Sequence, residues 1–183
     1  MQKLFIVTGV NGIGKSSIIP ALKLNLNPLS FKVHDFDERG VPSNADRHWR
    51  EAEMIHWVNV AKLNSQKNIS TIVCGFVKTN DIKSSLIADS VIPVCVCVLD
   101  ASPATIEKRI SNRYTTPLSL TELERNTGKT LEKFISDNVW VAAKFREEAI
   151  ENGYYVLNTD ELSPELVAAN IVTWINTQNH KRD

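Results

Sequence analysis

Residues 9 to 16 read Gly-Val-Asn-Gly-Ile-Gly-Lys-Ser and match the pattern G-x-x-x-x-G-K-[ST] at every fixed position. With glycine at ~7% of ordinary chains, a chance match in a chain of this size has odds on the order of one per cent or less. The types and spacing suit one task, holding a polyphosphate. Glycines let backbone N–H groups turn inward around an anion, and the N-terminus of a following helix adds partial positive charge. Lys15 then reaches the β- and γ-phosphates, and the Ser16 hydroxyl is placed to ligate Mg²⁺. The expected cradle for ATP is Gly9, Val10, Asn11, Gly12, Ile13, Gly14, Lys15, Ser16 and Ser17. Gly12-Ile13-Gly14 also begins a dinucleotide fingerprint, but Ser17 stands where its third glycine belongs, so that reading fails.

A second group is His34-Asp35-Phe36-Asp37, closing an apolar run. Carboxylates at i and i+2 on an extended segment point the same way. One can accept a proton from an acceptor hydroxyl while the other orients a water on Mg²⁺; the plainer alternative is that either aspartate caps the next turn. Asp35 is expected beside Ser16 at the metal. A third group is Arg109 and Arg113, one helical turn apart and so on one face; two surface arginines paired with Glu107 or water are the alternative. Arg47, His48, Trp49 and Arg50 are candidate acceptor contacts, since arginine suits a phosphate or carboxylate and tryptophan a flat ring. The histidines His34, His56 and His180 are assigned no role.

These residues must be held by elements that the hydropathy pattern outlines. Leu4–Val7, Phe31–His34, Thr71–Cys74, Val91–Leu99 and Tyr154–Leu157 are continuous apolar runs, the signature of strands buried on both faces in a parallel sheet. Between them, Trp49, Ala52, His56, Val60 and Leu63 recur at helical spacing, as do Leu131, Phe134, Ile135, Ala142, Phe145 and Ala149. Ser102-Pro103 and Ser163-Pro164 each set an N-cap before a proline at the first helical position. Ser119 to Glu122 reads as a capping box opening another short helix. Pro20, early in the helix after the first strand, is expected to kink it. Tyr114–Lys129 is rich in Thr, Ser, Pro and Gly, which predicts a loop or lid over a site, with Arg125 and Lys129 able to join the cluster. The βαβα order predicts a three-layer α/β fold with right-handed crossovers.

With the GVNGIGKS motif behind a strand and before a helix, the chain resembles the P-loop NTPases, and within them the small kinases related to adenylate kinase, shikimate kinase and gluconate kinase. The element order carries the resemblance along most of the chain. It implies a five-stranded parallel sheet in the order 2-3-1-4-5, a single domain over 1–183 with a small lid at roughly 114–130, and ATP with Mg²⁺. It also implies that Arg109 and Arg113 clamp the phosphates during transfer, that Asn158 and Thr159 at the end of the last strand approach the adenine, and that Asp35 or Asp37 serves as in relatives with an Asp-x-Asp. The chain departs from the adenylate-kinase relatives after the third strand, where Cys74-Gly75-Phe76 replaces Asp-Gly. Asp35, Asp37 or Asp100, which ends an apolar run as a Walker-B aspartate does, is expected to take that part.

Composition narrows the partners. The chain has 183 residues, 43% hydrophobic and 23% charged, with 21 basic against 21 acidic side chains. That is one globular domain without the basic excess of a nucleic-acid binder, so a polynucleotide 5′-hydroxyl kinase is disfavoured. No window approaches the ~20 apolar residues of a membrane helix, and Met1–Val7 lacks the form of a signal peptide. Cys74, Cys95 and Cys97 lie in apolar runs without a zinc spacing and read as reduced core thiols, so the expected location is the cytoplasm. The expected activity is transfer of the γ-phosphoryl group of ATP to a hydroxyl of a small molecule, a nucleoside or a hydroxylated metabolite, by a monomer or homodimer. The alternatives are a nucleoside monophosphate kinase and a non-catalytic ATP-binding sensor or switch. A GTPase is disfavoured, because no Asn/Thr-Lys-x-Asp motif is present.

Overall fold

A computed structural model of the chain describes residues 2–42, 45–78, 82 and 92–180. The apolar runs form strands β1 (Leu4–Thr8), β2 (Phe31–Asp35), β3 (Ser70–Cys74), β4 (Val94–Asp100) and β5 (Tyr155–Asn158). All pair in parallel, in the order β2-β3-β1-β4-β5, as the resemblance implies. The expected start of the fourth run at Val91 lies outside the described residues. The helices among the described residues are α1 (Ile19–Asn25), α2 (Arg47–Ser65), α3 (Pro103–Arg113), α4 (Pro117–Thr127), α5 (Leu131–Glu151) and α6 (Pro164–His180).

The two-residue period of each strand divides the core into two layers. Phe5 and Val7 of β1, Ile72 and Cys74 of β3, and Cys97 and Leu99 of β4 pack with α1, α3 and α6. Leu4, Ile6, Val73, Val96 and Val98 face the other way, onto α2 and the later part of α5. This is why the strands read as unbroken apolar runs. Among the described residues, no helix is long and apolar enough to cross a membrane.

Three local expectations need correction. Pro20 does not kink a helix: a single 3₁₀ turn, Ser16–Ile18, comes first, and α1 starts at Ile19. Pro20 thus sits in the first turn, where its missing N–H has no partner to lose. The stretch expected as a loop or lid, Tyr114–Lys129, with a short helix from Ser119, is mostly one helix, α4, that starts at Pro117. Its cap is Thr116, not Ser119: the Thr116 hydroxyl accepts from Ser119 N at 3.2 Å, while Ser119 Oγ accepts from Thr116 N at 3.1 Å. Pro117 at the first helical position and Gly128, left-handed at φ 67°, bound the helix, so the residues that look like breakers are its start and stop signals. Asp46 caps α2 by accepting from Trp49 N at 2.9 Å, and Ser102 caps α3 by accepting from Thr105 N at 3.3 Å.

Candidate active site

A cleft of about 750 Å³ opens at the C-terminal ends of β1, β2 and β3, the end of a parallel sheet where ligands are held. Its floor is the loop from Asn11 to Ser17. Gly12 has φ +76°, and a Cβ there would lie 2.8 Å from Ile110 Cγ1 of α3, so both backbone and neighbour demand glycine. Gly9 and Val10 lie behind the loop rather than on the cleft; the Val10 carbonyl accepts from Lys15 Nζ at 2.7 Å. Loss of solvent lowers the Lys15 pKa to about 8, against the pull of the Asp37 and Asp35 carboxylates.

The carboxylate pair meets this loop. Ser16 Oγ donates to Asp35 Oδ2 at 2.9 Å, and Asp37 N donates to Asp35 Oδ1 at 2.9 Å. Both aspartates line the cleft. Asp37 Oδ1 is buried and has no hydrogen-bond partner. Burial holds the Asp37 pKa above the ordinary carboxylate value, with Asp35 adding to the rise and Arg50 and Lys15 opposing it. The turn after Asp35 therefore does both things the sequence left open: Asp35 orders the turn through Asp37 N, and it faces the phosphate loop.

Arg50 lies with its guanidinium over the rings of Trp49 and Phe76, at 5.5 and 5.3 Å, and donates to the Phe76 carbonyl at 3.3 Å. Phe76 lines the cleft and stacks on Phe145. Arg47 and His48 face solvent and pair locally, with Glu51 and Asp46. Of the four candidate acceptor contacts, only Trp49 and Arg50 turn toward the aspartates.

Arg109 and Arg113 both line the cleft but are not equivalent. The Arg109 guanidinium donates to the Ile13 carbonyl at 3.3 Å, to Thr159 Oγ1 at 2.9 Å and to the Thr159 carbonyl at 2.6 Å. It ties the phosphate loop to the end of β5. Arg113, exposed at the rim over the Tyr114 ring, is close enough for its charge to depress the Lys15 pKa. Neither pairs with Glu107, which has no salt bridge among the described residues.

Some expected site residues are elsewhere. Asp100 is buried in a bidentate pair with Arg146, at 2.5 and 2.9 Å, and is not on the cleft, so no cation can use it without breaking that pair. Asn158 is exposed and bonds with Asp160; the next residue, Thr159, lines the cleft with Leu162, Pro164 and Val167. No residue from 114 to 130 lines it; Arg125 is exposed, and Lys129 is held by Asp137 at 2.7 Å. Cys74, where relatives carry aspartate, is a fully buried thiol whose pKa burial pushes up to about 12. Gly75 beside it is required by packing, since a Cβ there would lie 2.1 Å from Phe36 Cβ.

Sequence reasoning missed Asn138. Buried Asn138 of α5 accepts from Asn11 N at 3.0 Å. A buried Asn amid the apolar spacing of a helix is the signal that could have exposed it.

Ser16 and Asp35 offer oxygens that suit a hard cation such as Mg²⁺, which is held by one or two carboxylates together with substrate phosphates rather than by an all-protein cage. Consistently, no cluster of three His, Cys, Asp or Glu side chains forms a metal site among the described residues.

The sheet order and the glycine-rich loop between β1 and α1 define the P-loop kinase fold. Comparison with solved structures gives the same class. A sugar kinase from Janibacter sp. superposes with a TM-score of 0.59 at 19% identity, covering 96% of this chain and 95% of its own. Shikimate kinase from Acinetobacter baumannii, solved with shikimate, matches with a TM-score of 0.59 at 15% identity, covering 99% of this chain and 97% of its own. Thymidylate kinase from Candida albicans matches at 0.57 and 12% identity, covering 97% and 92%. No family model matches the chain, and no curated protein matches it in sequence.

Proposed function

We propose that this chain is a kinase transferring the γ-phosphoryl group of ATP to a hydroxyl of a small molecule, a nucleoside or a hydroxylated metabolite. The observation that carries this reading is the meeting of phosphate loop and carboxylate pair in one cleft, with Ser16 Oγ 2.9 Å from Asp35 Oδ2. The triphosphate lies along Asn11–Ser17, and Lys15 leaves the Val10 carbonyl for the β- and γ-phosphates. Mg²⁺, when held at Ser16 and Asp35, neutralises phosphate charge. Asp37, which lines the cleft, accepts the proton of the acceptor hydroxyl; a raised pKa suits a base operating near neutral pH. Arg113 meets charge on the transferred group, while Arg109 holds the loop against Thr159 beside the nucleotide.

Proteins named sugar kinase, shikimate kinase and thymidylate kinase share this fold, so the fold leaves the acceptor open. The carboxylates favour a hydroxyl, because a phosphate acceptor needs no base. The buried thiols of Cys74 and Cys97 suit a cytoplasmic protein. The test is ADP release from Mg-ATP across nucleosides, nucleoside monophosphates, sugar acids, cyclic polyols and aminoglycoside-like alcohols, with Lys15→Ala as control. Acceptor-dependent release that vanishes in the control supports the reading. Tight ATP binding with no acceptor dependence replaces it with a nucleotide sensor.

A further inference from the structure

The rim of the phosphate loop is held from outside by two helices, one on each side of α4. From α3, Arg109 donates to the Ile13 carbonyl and Ile110 closes on the Cα of Gly12. From α5, Asn138 Oδ1 accepts from Asn11 N at 3.0 Å and from Asn11 Nδ2 at 3.3 Å, while Asn138 Nδ2 donates to the Phe134 carbonyl at 2.8 Å. Asn138 is 6% exposed, the one asparagine among the buried polar residues described.

The amide can work only in this orientation. Flipped, its NH₂ would face the Asn11 N–H, donor against donor, and its oxygen would face the Phe134 carbonyl, acceptor against acceptor. In place, it saturates a loop amide beside the cleft, as the Val10 carbonyl does for Ile13 N at 3.4 Å, and phosphate oxygens meet the other N–H groups of the loop. A loop amide without this partner has two choices: it stays buried and unpaired, or the rim shifts to find water. Either change is felt first by a bound polyphosphate, because the loop binds by converging several backbone donors on one anion.

We infer that Asn138 is a positioning residue for nucleotide binding, clamping the rim of the phosphate loop from α5 as Arg109 does from α3. The inference rests on the kinase reading for its ligand, and its effect falls on nucleotide affinity and KM for ATP rather than on the transfer step.

The test uses the whole chain with Mg-ADP as probe, measured calorimetrically, followed by kinetics with the best acceptor. Asn138→Leu, which keeps the branching of the side chain but has no acceptor, is expected to weaken Mg-ADP binding and raise KM for ATP by about tenfold, with kcat within about twofold. Asn138→Ser restores an acceptor oxygen and is expected to recover part of the loss, to within about threefold of wild type. A role confined to stability would lower Tm in both variants and leave affinity and KM unmoved. Hydrogen exchange of the Asn11 amide in the wild type adds a readout that needs no variant: the amide must stay protected with Mg-ADP bound, and rapid exchange there overturns the inference. So does unchanged Mg-ADP affinity in a folded Asn138→Leu. Failure of the wild type to bind Mg-ADP at all overturns the kinase reading itself, and this inference with it.

Discussion

At the scale of single residues, the cleft holds two groups whose charge is costly where it sits. Lys15 has a pKa lowered to about 8, because burial strips water from its ammonium by more than the Asp37 and Asp35 carboxylates compensate. A bound triphosphate favours the charged form and must raise that value. Between the two values the free protein has lost a proton that the complex regains, so nucleotide binding at about pH 8.5 takes up protons. Calorimetry in buffers of different ionisation heat is expected to show this uptake, and Lys15→Met to abolish it; equal heats across buffers would mean that Lys15 is charged throughout. Asp37 has the opposite bias. Its pKa is raised, so the base is lost as pH falls through a value above the usual carboxylate range. Asp37→Asn is expected to reduce kcat by about 10²- to 10⁴-fold with Mg-ATP affinity little changed. Asp35→Asn, whose one oxygen still accepts from Asp37 N while its NH₂ donates to Ser16 Oγ, removes the charge and is expected to raise the Mg²⁺ concentration needed for half-maximal rate. Retained turnover in both variants would remove the base from this site.

At the scale of elements, the positions of those groups depend on a few close approaches. Gly75, following β3, lets Phe36 and hence the Asp35–Asp37 turn sit against the strand end. Gly75→Ala sets a Cβ within a bond-like distance of Phe36 Cβ, and neither atom is at the end of a flexible chain. The expected cost is about 2–3 kcal/mol, which lowers Tm by about 4–12 °C at this chain length. Differential scanning calorimetry decides it, and an unmoved Tm would show that the turn is free to retreat. The strands and the phosphate loop were legible in the sequence because local period and glycine spacing determine them. Helix α4 was legible only in part: Ser119 to Glu122 announces a short helix, but Pro117 and Gly128 mark a loop or a helix's ends equally well, and the mutual bonds of Thr116 and Ser119 fix where it starts. The site was legible where its residues are neighbours in the chain. Asn11 meets Asn138 across 127 residues and Arg109 meets Thr159 across 50, contacts that no linear pattern encodes. Asp100 misled because a carboxylate closing an apolar strand looks the same whether it faces a cation or Arg146.

At the scale of the molecule, the two core layers share one set of strands, and this bears on how the cleft is kept in register. Alternate residues of β1 feed both layers: Phe5 and Val7 meet α1 and α6, while Leu4 and Ile6 meet α2 and α5. The phosphate loop leaves β1 at the centre of the sheet, and the aspartates leave β2 at its edge, with β3 between them. Loosening either layer therefore shifts the same strand ends. Ile171 in α6 is fully buried in one layer, and Met54 in α2 is 1% exposed in the other. Each replaced by Ala is expected to cost about 2–5 kcal/mol. Because the sheet is common, both losses must appear in a single transition rather than in the half that carries the cavity. Trp174 and Trp57 lie in opposite layers and supply fluorescence from each side. With Trp57→Phe and Trp174→Phe as backgrounds, fluorescence and far-ultraviolet circular dichroism are expected to give one midpoint in denaturant, lowered alike by Ile171→Ala and Met54→Ala. A midpoint that moves only for the tryptophan on the mutated side would mean that the layers melt separately, and that the cleft can lose the aspartate turn while its phosphate loop stays folded.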